Sequence, residues 1–198
     1  MLGRSIFSAL LAGAFLSTSV SFGADKIEVA GYGGGISIRD GGGTHALVGG
    51  SVAGAVLDKL RLFGEFSYAP LGSASLASSV EGIDVQAHAS AKLYNFGGGF
   101  DYSFGSSTRA VPYVLGVIGI GHSAIAATGV GTMGTVRATA DLSESSNAVY
   151  YGGGGGIRLY AGPHWGIKPE FRYQRYQDSG GGVNTFAYTV GLFFQFGK

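Results

Sequence analysis

From Trp165 to Gln174 the chain alternates without interruption. Trp165, Ile167, Pro169, Phe171 and Tyr173 stand on one side, and Gly166, Lys168, Glu170, Arg172 and Gln174 on the other. A period of two is the signature of an extended strand, whose successive side chains point to opposite faces. One face is therefore aromatic and the other ionic. Such a strand can hide its rings from water, or it can turn them to lipid and enclose its charges. The pattern recurs along the chain. Leu60, Leu62, Gly64, Phe66 and Tyr68 oppose Arg61, Glu65 and Ser67. Between Tyr94 and Phe104 the even positions are aromatic or glycine, and the odd ones are Asn95, Gly97, Gly99, Asp101 and Ser103. Phe186, Tyr188, Val190, Leu192, Phe194 and Phe196 complete the set, with Phe193 the one bulky residue on the polar side. Helical periodicity is not found after Asp25.

Strand length and composition choose between the two environments. The apolar faces of the last strands run about 9–11 residues, which a tilted strand needs to cross the hydrocarbon layer. Aromatic residues gather toward the strand ends, as interfacial girdles require. Tyr113, Trp165 and Phe196 are expected near one rim, and Tyr68, Tyr173 and Tyr188 near the other. Only 13% of the residues are charged, against about 25% in typical soluble chains. At the N-terminus, Arg4 precedes the apolar run 6–16 and a small-residue stretch 17–24, which reads as a secretory signal peptide cleaved after Gly23 or Ala24. The chain has no cysteine, so neither a disulfide nor a cysteine-linked lipid is expected. Beyond residue 24 nothing resembles a helical span, and a closed barrel is the remaining way across a bilayer.

Eight segments are expected, near 26–38, 44–57, 60–71, 83–104, 111–126, 148–160, 165–177 and 183–196. The connections at 58–59, 105–110 and 161–164 are short, whereas 70–82 and 127–147 read as longer loops rich in Ser, Ala, Gly and Thr. The loops at 39–44 and 178–182 are brief. Short turns on one side and longer loops on the other suit an outer-membrane barrel with its turns in the periplasm. If 127–147 folds into its own hairpin, the count becomes ten. The expected fold is all-β: an eight-stranded antiparallel transmembrane up-and-down β-barrel over residues 25–198, after a signal peptide over 1–24.

Glycine contributes 38 of the 198 residues. The runs at 33–35, 97–99 and 152–156 fall inside expected strands, where glycine leaves room for bulky neighbours across a narrow lumen; those at 41–43 and 180–182 fall at loop tips. The room is needed for charge. Arg61, Glu65, Asp101, Arg158, Lys168, Glu170 and Arg172 all take the lumen face, four cations with three anions. Enclosed charges have to be paired and hydrogen-bonded, so a ladder of ion pairs and a side-chain-filled interior are expected.

The C-terminal stretch Thr189, Val190, Gly191, Leu192, Phe193, Phe194, Gln195, Phe196 resembles the β-signal of outer-membrane proteins. Thr189, Gly191, Phe194 and Phe196 match its polar residue, glycine and alternating aromatics, while Gly197 and Lys198 extend past the usual terminal aromatic. With KLYNFGGGFDYSF and WGIKPEFRYQRY, residues 25–198 resemble the small OmpA/OmpX/opacity-type barrels. That resemblance implies a location in the outer membrane, contact with its lipid and lipopolysaccharide, and insertion by the barrel-assembly machinery. The peptidoglycan-binding domain that follows the barrel of OmpA is not part of the expectation.

Chemical motifs are few. Gly119, Gly121 and Ala124 fit a GxGxxA pattern, but the glycine-rich, β-branched stretch that follows lacks the helix a dinucleotide site requires. His88 and Ser90 share a strand face, and His-x-Ser at that place resembles the PagL-type lipid A deacylases. A hydroxyl nucleophile also needs an orienting third group; Glu81 and Asp84 are the candidates. The asparagine that usually follows the serine is Ala91 here, and serine-rich chains produce this triplet readily. His45, His122 and His164 are scattered and suggest no metal site. With a formal net charge of +1 and no basic cluster, nucleic acid is excluded as a partner. No cofactor is implied. The outer connections carry few charges beyond Glu81, Asp84, Arg137, Asp141 and Glu144, and name no surface ligand. The expectation is a non-enzymatic outer-membrane barrel with a structural or surface-contact role; a lipid A deacylase and a narrow pore for small solutes are the alternatives.

Overall fold

Period-two alternation is realised as eight strands: β1 (Ile27–Ile38), β2 (Gly43–Ala55), β3 (Leu60–Val80), β4 (Ile83–Ser103), β5 (Ala110–Met133), β6 (Val136–Tyr160), β7 (Trp165–Asp178) and β8 (Gly181–Phe196). The structure, a computed structural model, describes residues 27–39, 43–80, 83–105, 109–133, 136–178 and 180–197. The expected signal segment, 1–24, lies outside them. Each strand pairs antiparallel with the next, and β8 returns to pair with β1 from Phe196 opposite Ile27 to Thr185 opposite Ile38. Closure leaves no strand edge within the wall, so the ladders satisfy its backbone donors and acceptors.

The wall is inverted relative to a soluble protein. Phe96, Ile118 and Val190 are 58%, 62% and 57% exposed on the outside, whereas Arg158 and Glu28 are 0% and 2% exposed within. Exposed Tyr102, Phe104, Trp165 and Phe196 mark the end with the wider turns. At the other end Tyr68, Tyr94, Tyr173 and Tyr188 lie on the outer face, with Tyr68 and Tyr94 rings 5.1 Å apart. Tyr113 departs from the expected girdle. It is buried and reaches Glu170 across the lumen, because its parity on β5 is that of inward Leu115 and Val117 rather than outward Val114 and Ile118.

The two expected loops at 70–82 and 127–147 are mostly strand. β3 and β4 remain paired up to Val80 opposite Ile83, and β5 and β6 up to Met133 opposite Val136, after one register shift at Pro70/Gly72. Segment 127–147 is therefore a hairpin, but a continuation of β5 and β6, and the count stays at eight. Serine and alanine have little strand propensity, so pairing with the adjoining long strands supplies the order. These four strands are 21–25 residues long, against 12–16 for β1, β2, β7 and β8. The surplus of roughly ten residues rises about 30 Å along the strands as a four-stranded sheet on one side of the barrel.

Large inward side chains lie over glycines of the same or neighbouring rows, one or two strands away. A Cβ on Gly97 would fall 2.0 Å from Tyr150 Oη, and one on Gly154 would fall 2.1 Å from the Phe171 carbonyl and 3.1 Å from Arg172 Cγ. The run 152–156 is strand, as its flanks require. Pro169 marks the one lapse in the β6–β7 ladder, where pairing stops at Gly156 opposite Glu170 and resumes at Leu159 opposite Ile167. Proline has no N–H to offer a ladder.

Gly97→Ala is expected to destabilise the barrel by about 1–3 kcal/mol, the usual cost of overpacking, read as a lower urea midpoint in detergent micelles. Gly31→Ala meets nothing within 4 Å and is expected to be neutral or slightly stabilising.

Candidate functional site

The interior is built in layers. In the lowest, β1 brings in Glu28 beneath the β1–β8 seam. Glu28 Oε2 accepts from Arg61 Nη1 at 2.5 Å, Arg158 Nε at 2.9 Å and Gln195 Nε2 at 3.0 Å, and Oε1 accepts from Lys168 Nζ at 3.3 Å. Arg158 also donates through Nη2 to Asp101 Oδ2 at 2.7 Å and through Nη1 to Ser103 Oγ at 3.3 Å, with its guanidinium 4.2 Å from the Tyr113 ring centroid. The seven charged residues expected in the lumen are all there. Sequence reasoning missed the eighth, Glu28, on which four donors from β3, β6, β7 and β8 converge. Its signal was present in Ile27-Glu28-Val29-Ala30, a short alternation at the very start of β1.

The next layer centres on Arg172. Its Nη1 bridges both Glu65 oxygens at 2.7 and 2.6 Å, and its Nε donates to Glu170 Oε1. Tyr113 Oη donates to the other Glu170 oxygen at 2.6 Å, and Tyr150 Oη to Glu65 Oε1 at 3.4 Å. Among the described residues the interior thus holds four cations, Arg61, Arg158, Lys168 and Arg172, against four carboxylates, Glu28, Glu65, Asp101 and Glu170. Charges taken from water are tolerable only when paired and hydrogen-bonded, and here the pairing balances.

Above the ions the lumen is closed by apolar side chains. Ile36, Leu47, Ala69, Leu93 and Ala187 are buried in one cluster with Tyr150 and Tyr176. Between this lid and the Arg172 layer is a void of about 10 Å³ bounded by Tyr32, Ile36, Leu47, Glu65, Arg172 and Gln174. A single water needs about 10–15 Å³.

On the projecting sheet, His88 and Ser90 are two residues apart on one face of β4. They continue the outward parity of Tyr94 and Phe96. Across the ladders His88 is opposite Ser75 and Thr128, and Ser90 opposite Ser73 and Ala126. Asp141 is in the row of His88 but one strand further, opposite Thr128, about 10 Å away at two strand spacings. Asp84 stands four positions along β4 from His88, about 13 Å at strand rise. Glu81 lies outside the described residues. Asp141 is not placed to orient the imidazole.

The sheet has two unlike faces. Ser73, Ser75, Gln86, His88, Ser90, Lys92 and Asp141 share one; Ala74, Leu76, Ala87, Ala89, Ile125, Ala127 and Leu142 share the other, which Glu144 interrupts. Leu76 and Leu142 are each 74% exposed. Gly119 and Gly121, of the GxGxxA pattern, lie within strand β5. On β8, Thr189 and Gly191 point inward and Phe194 and Phe196 outward; all four pair with or lie beside β1 at the closing seam.

Neisserial surface protein A is similar to this chain with a TM-score of 0.54 and 13% identity, covering 86% of this chain and 97% of that one. Ail, the attachment invasion locus protein of Yersinia pestis, is similar with a TM-score of 0.53 and 14% identity over 86% of this chain and 99% of that one. A major outer membrane protein from Thermus thermophilus is similar with a TM-score of 0.50 and 11% identity over 86% and 98%. At these identities the likeness is one of fold. No protein-family model and no curated protein matches the sequence. The chain has the fold of the small eight-stranded outer-membrane barrels.

Glu28→Gln removes the shared counter-charge of Arg61, Arg158 and Lys168. It is expected to cost about 3–5 kcal/mol, as breaking a buried ion pair does, measured by urea unfolding in detergent micelles. Gln195→Leu removes one neutral donor and is expected to cost about 1 kcal/mol.

Proposed function

We propose that this protein is a non-enzymatic resident of the outer membrane that makes contacts at the cell surface through its projecting sheet. The observation that carries the reading is the position of that sheet. It begins where the outward girdle of Tyr68 and Tyr94 ends, and it holds an apolar face, with Leu76 and Leu142 exposed, beyond the lipid-facing wall. Among the described residues no strand pairs with the outer edge of β3 above Tyr68 or of β6 above Val149. An exposed apolar sheet face and the two edges beside it are surfaces on which another chain can dock. The words "surface protein" and "attachment" in the names of two structurally similar proteins are in accord with this role.

The barrel is the anchor. Its apolar belt meets acyl chains, its ionic interior is neutral and shut, and its long strands lift the sheet clear of the lipid headgroups. Thr189, Gly191, Phe194 and Phe196 on β8 would be read by the barrel-assembly machinery during insertion. A deacylase reading gains nothing from the register around His88 and Ser90, and a pore reading is opposed by the apolar lid.

Purified protein reconstituted in planar bilayers is expected to give no persistent single-channel conductance; steady openings would overturn the closed interior. Leu76→Asp combined with Leu142→Asp is expected to abolish the cell-to-cell and cell-to-surface adhesion that expression confers, while leaving the heat-modifiable outer-membrane band intact. Undiminished adhesion by that variant, or none by the wild type, would overturn the contact role.

A further inference from the structure

The outer wall over β6, β7, β8 and β1 carries a second feature that neither the lumen nor the projecting sheet uses. Where the β6–β7 ladder lapses at Pro169, and where β1 presents glycine to the outside, the surface sinks into a shallow apolar groove of about 510 Å³. Gly33, Gly155, Ile157, Pro169, Tyr188 and Val190 line it. Directly above, on the same outward face, the column Val190, Tyr188, Phe186 of β8 ends at Asn184. From Val190 to Asn184 is about 20 Å of strand, or about 15 Å along the membrane normal at the usual tilt.

Two arginines flank that upper end. Arg39 N–H donates to the Asn184 carbonyl at 3.0 Å, and Arg175 is the register partner of Asn184 on the other side. Their Cα atoms are two strand spacings apart, about 10 Å, and both follow the outward parity of their strands. The Asn184 side chain organises the cluster: its Oδ1 accepts from Tyr173 Oη at 2.9 Å and from Arg175 Nη1 at 3.3 Å, while Arg175 Nε donates to Gln177 Oε1 at 3.3 Å. Neither arginine joins an ion pair among the described residues.

We propose that this face is a binding site for a phosphorylated glycolipid of the outer leaflet, of the lipid A type. An acyl chain occupies the groove beside Pro169, and a sugar phosphate sits between the guanidinium groups of Arg39 and Arg175. Guanidinium forks match phosphate oxygens in geometry as well as charge, and Phe186, stacked on Phe171 and tilted against Tyr173, forms with them an apolar wall between headgroup and groove. A second copy of this chain would bring cationic rim to cationic rim, so the charge favours an anionic lipid over self-association. The site rests on the outer-membrane reading given above.

Native mass spectrometry of the full chain in detergent, titrated with bisphosphorylated lipid A, tests it. A one-to-one adduct is expected. Arg39→Ala with Arg175→Ala is expected to weaken it by about tenfold or more, the scale of losing charge-assisted hydrogen bonds, and removal of both phosphates from the lipid to do the same. Gly33→Leu fills the groove where the nearest atom to an added Cβ is 3.9 Å away, and is expected to weaken binding while the barrel still folds. Lys92→Ala, on the opposite side of the barrel, is expected to bind as the wild type does. Equal binding by the double-arginine variant and by Gly33→Leu, or by dephosphorylated lipid, overturns the site. Phosphatidylglycerol bound as tightly as lipid A overturns the glycolipid as its occupant. A wild-type chain that is folded and monodisperse without detergent overturns the membrane reading itself, whereas a heat-modifiable barrel without lipid A selectivity overturns only this site.

Discussion

Neutralisation of enclosed charge is the constraint on which the architecture depends. Glu28 draws Arg61, Arg158, Lys168 and Gln195 to one carboxylate at the base of the lumen. These donors come from four different strands, so the cluster can form only when the barrel is closed and in register. A one-residue slip on any of them would turn its charge to the lipid side. Above, Arg172 ties β7 to Glu65 on β3, across the width of the barrel. The ionic core therefore specifies registration, while the apolar belt is the surface that the proposed membrane location requires.

The size of the lumen follows from the same requirement. Eight strands enclose an interior that side chains can fill, and Arg158, Arg172, Tyr113 and Tyr150 fill it only because glycines stand opposite them. Gly97 and Gly154 are accordingly part of the ionic core although they carry no charge. Ile36, Leu47, Ala69 and Leu93 pack across the upper end, and the two sites proposed above lie on outer surfaces: the projecting sheet, and the wall over which Arg39 and Arg175 stand.

Much of this was legible in the chain. Alternation in 165–174 and 186–196, aromatic density and scarce charge led to an eight-stranded barrel and to seven of the eight interior charges. The exceptions have physical causes. Glu28 sits in a four-residue alternation too short to stand out beside the glycines that follow it. Tyr113 stands near a strand end, which suggests a rim, though parity alone turns it inward. Residues 70–82 and 127–147 resembled loops because serine, alanine and glycine carry little strand propensity; their order comes from pairing with neighbours.

The sequence by itself determined which side of each strand faces lipid and which faces the lumen, because a strand's faces are a matter of parity, and parity is local. Only the tertiary structure decided which charges meet, where the lumen is shut, and how far the sheet rises beyond the membrane. Those depend on register between strands that are distant in the chain: Glu28 and Arg158 are 130 residues apart, and no local pattern fixes the row in which two such residues will stand.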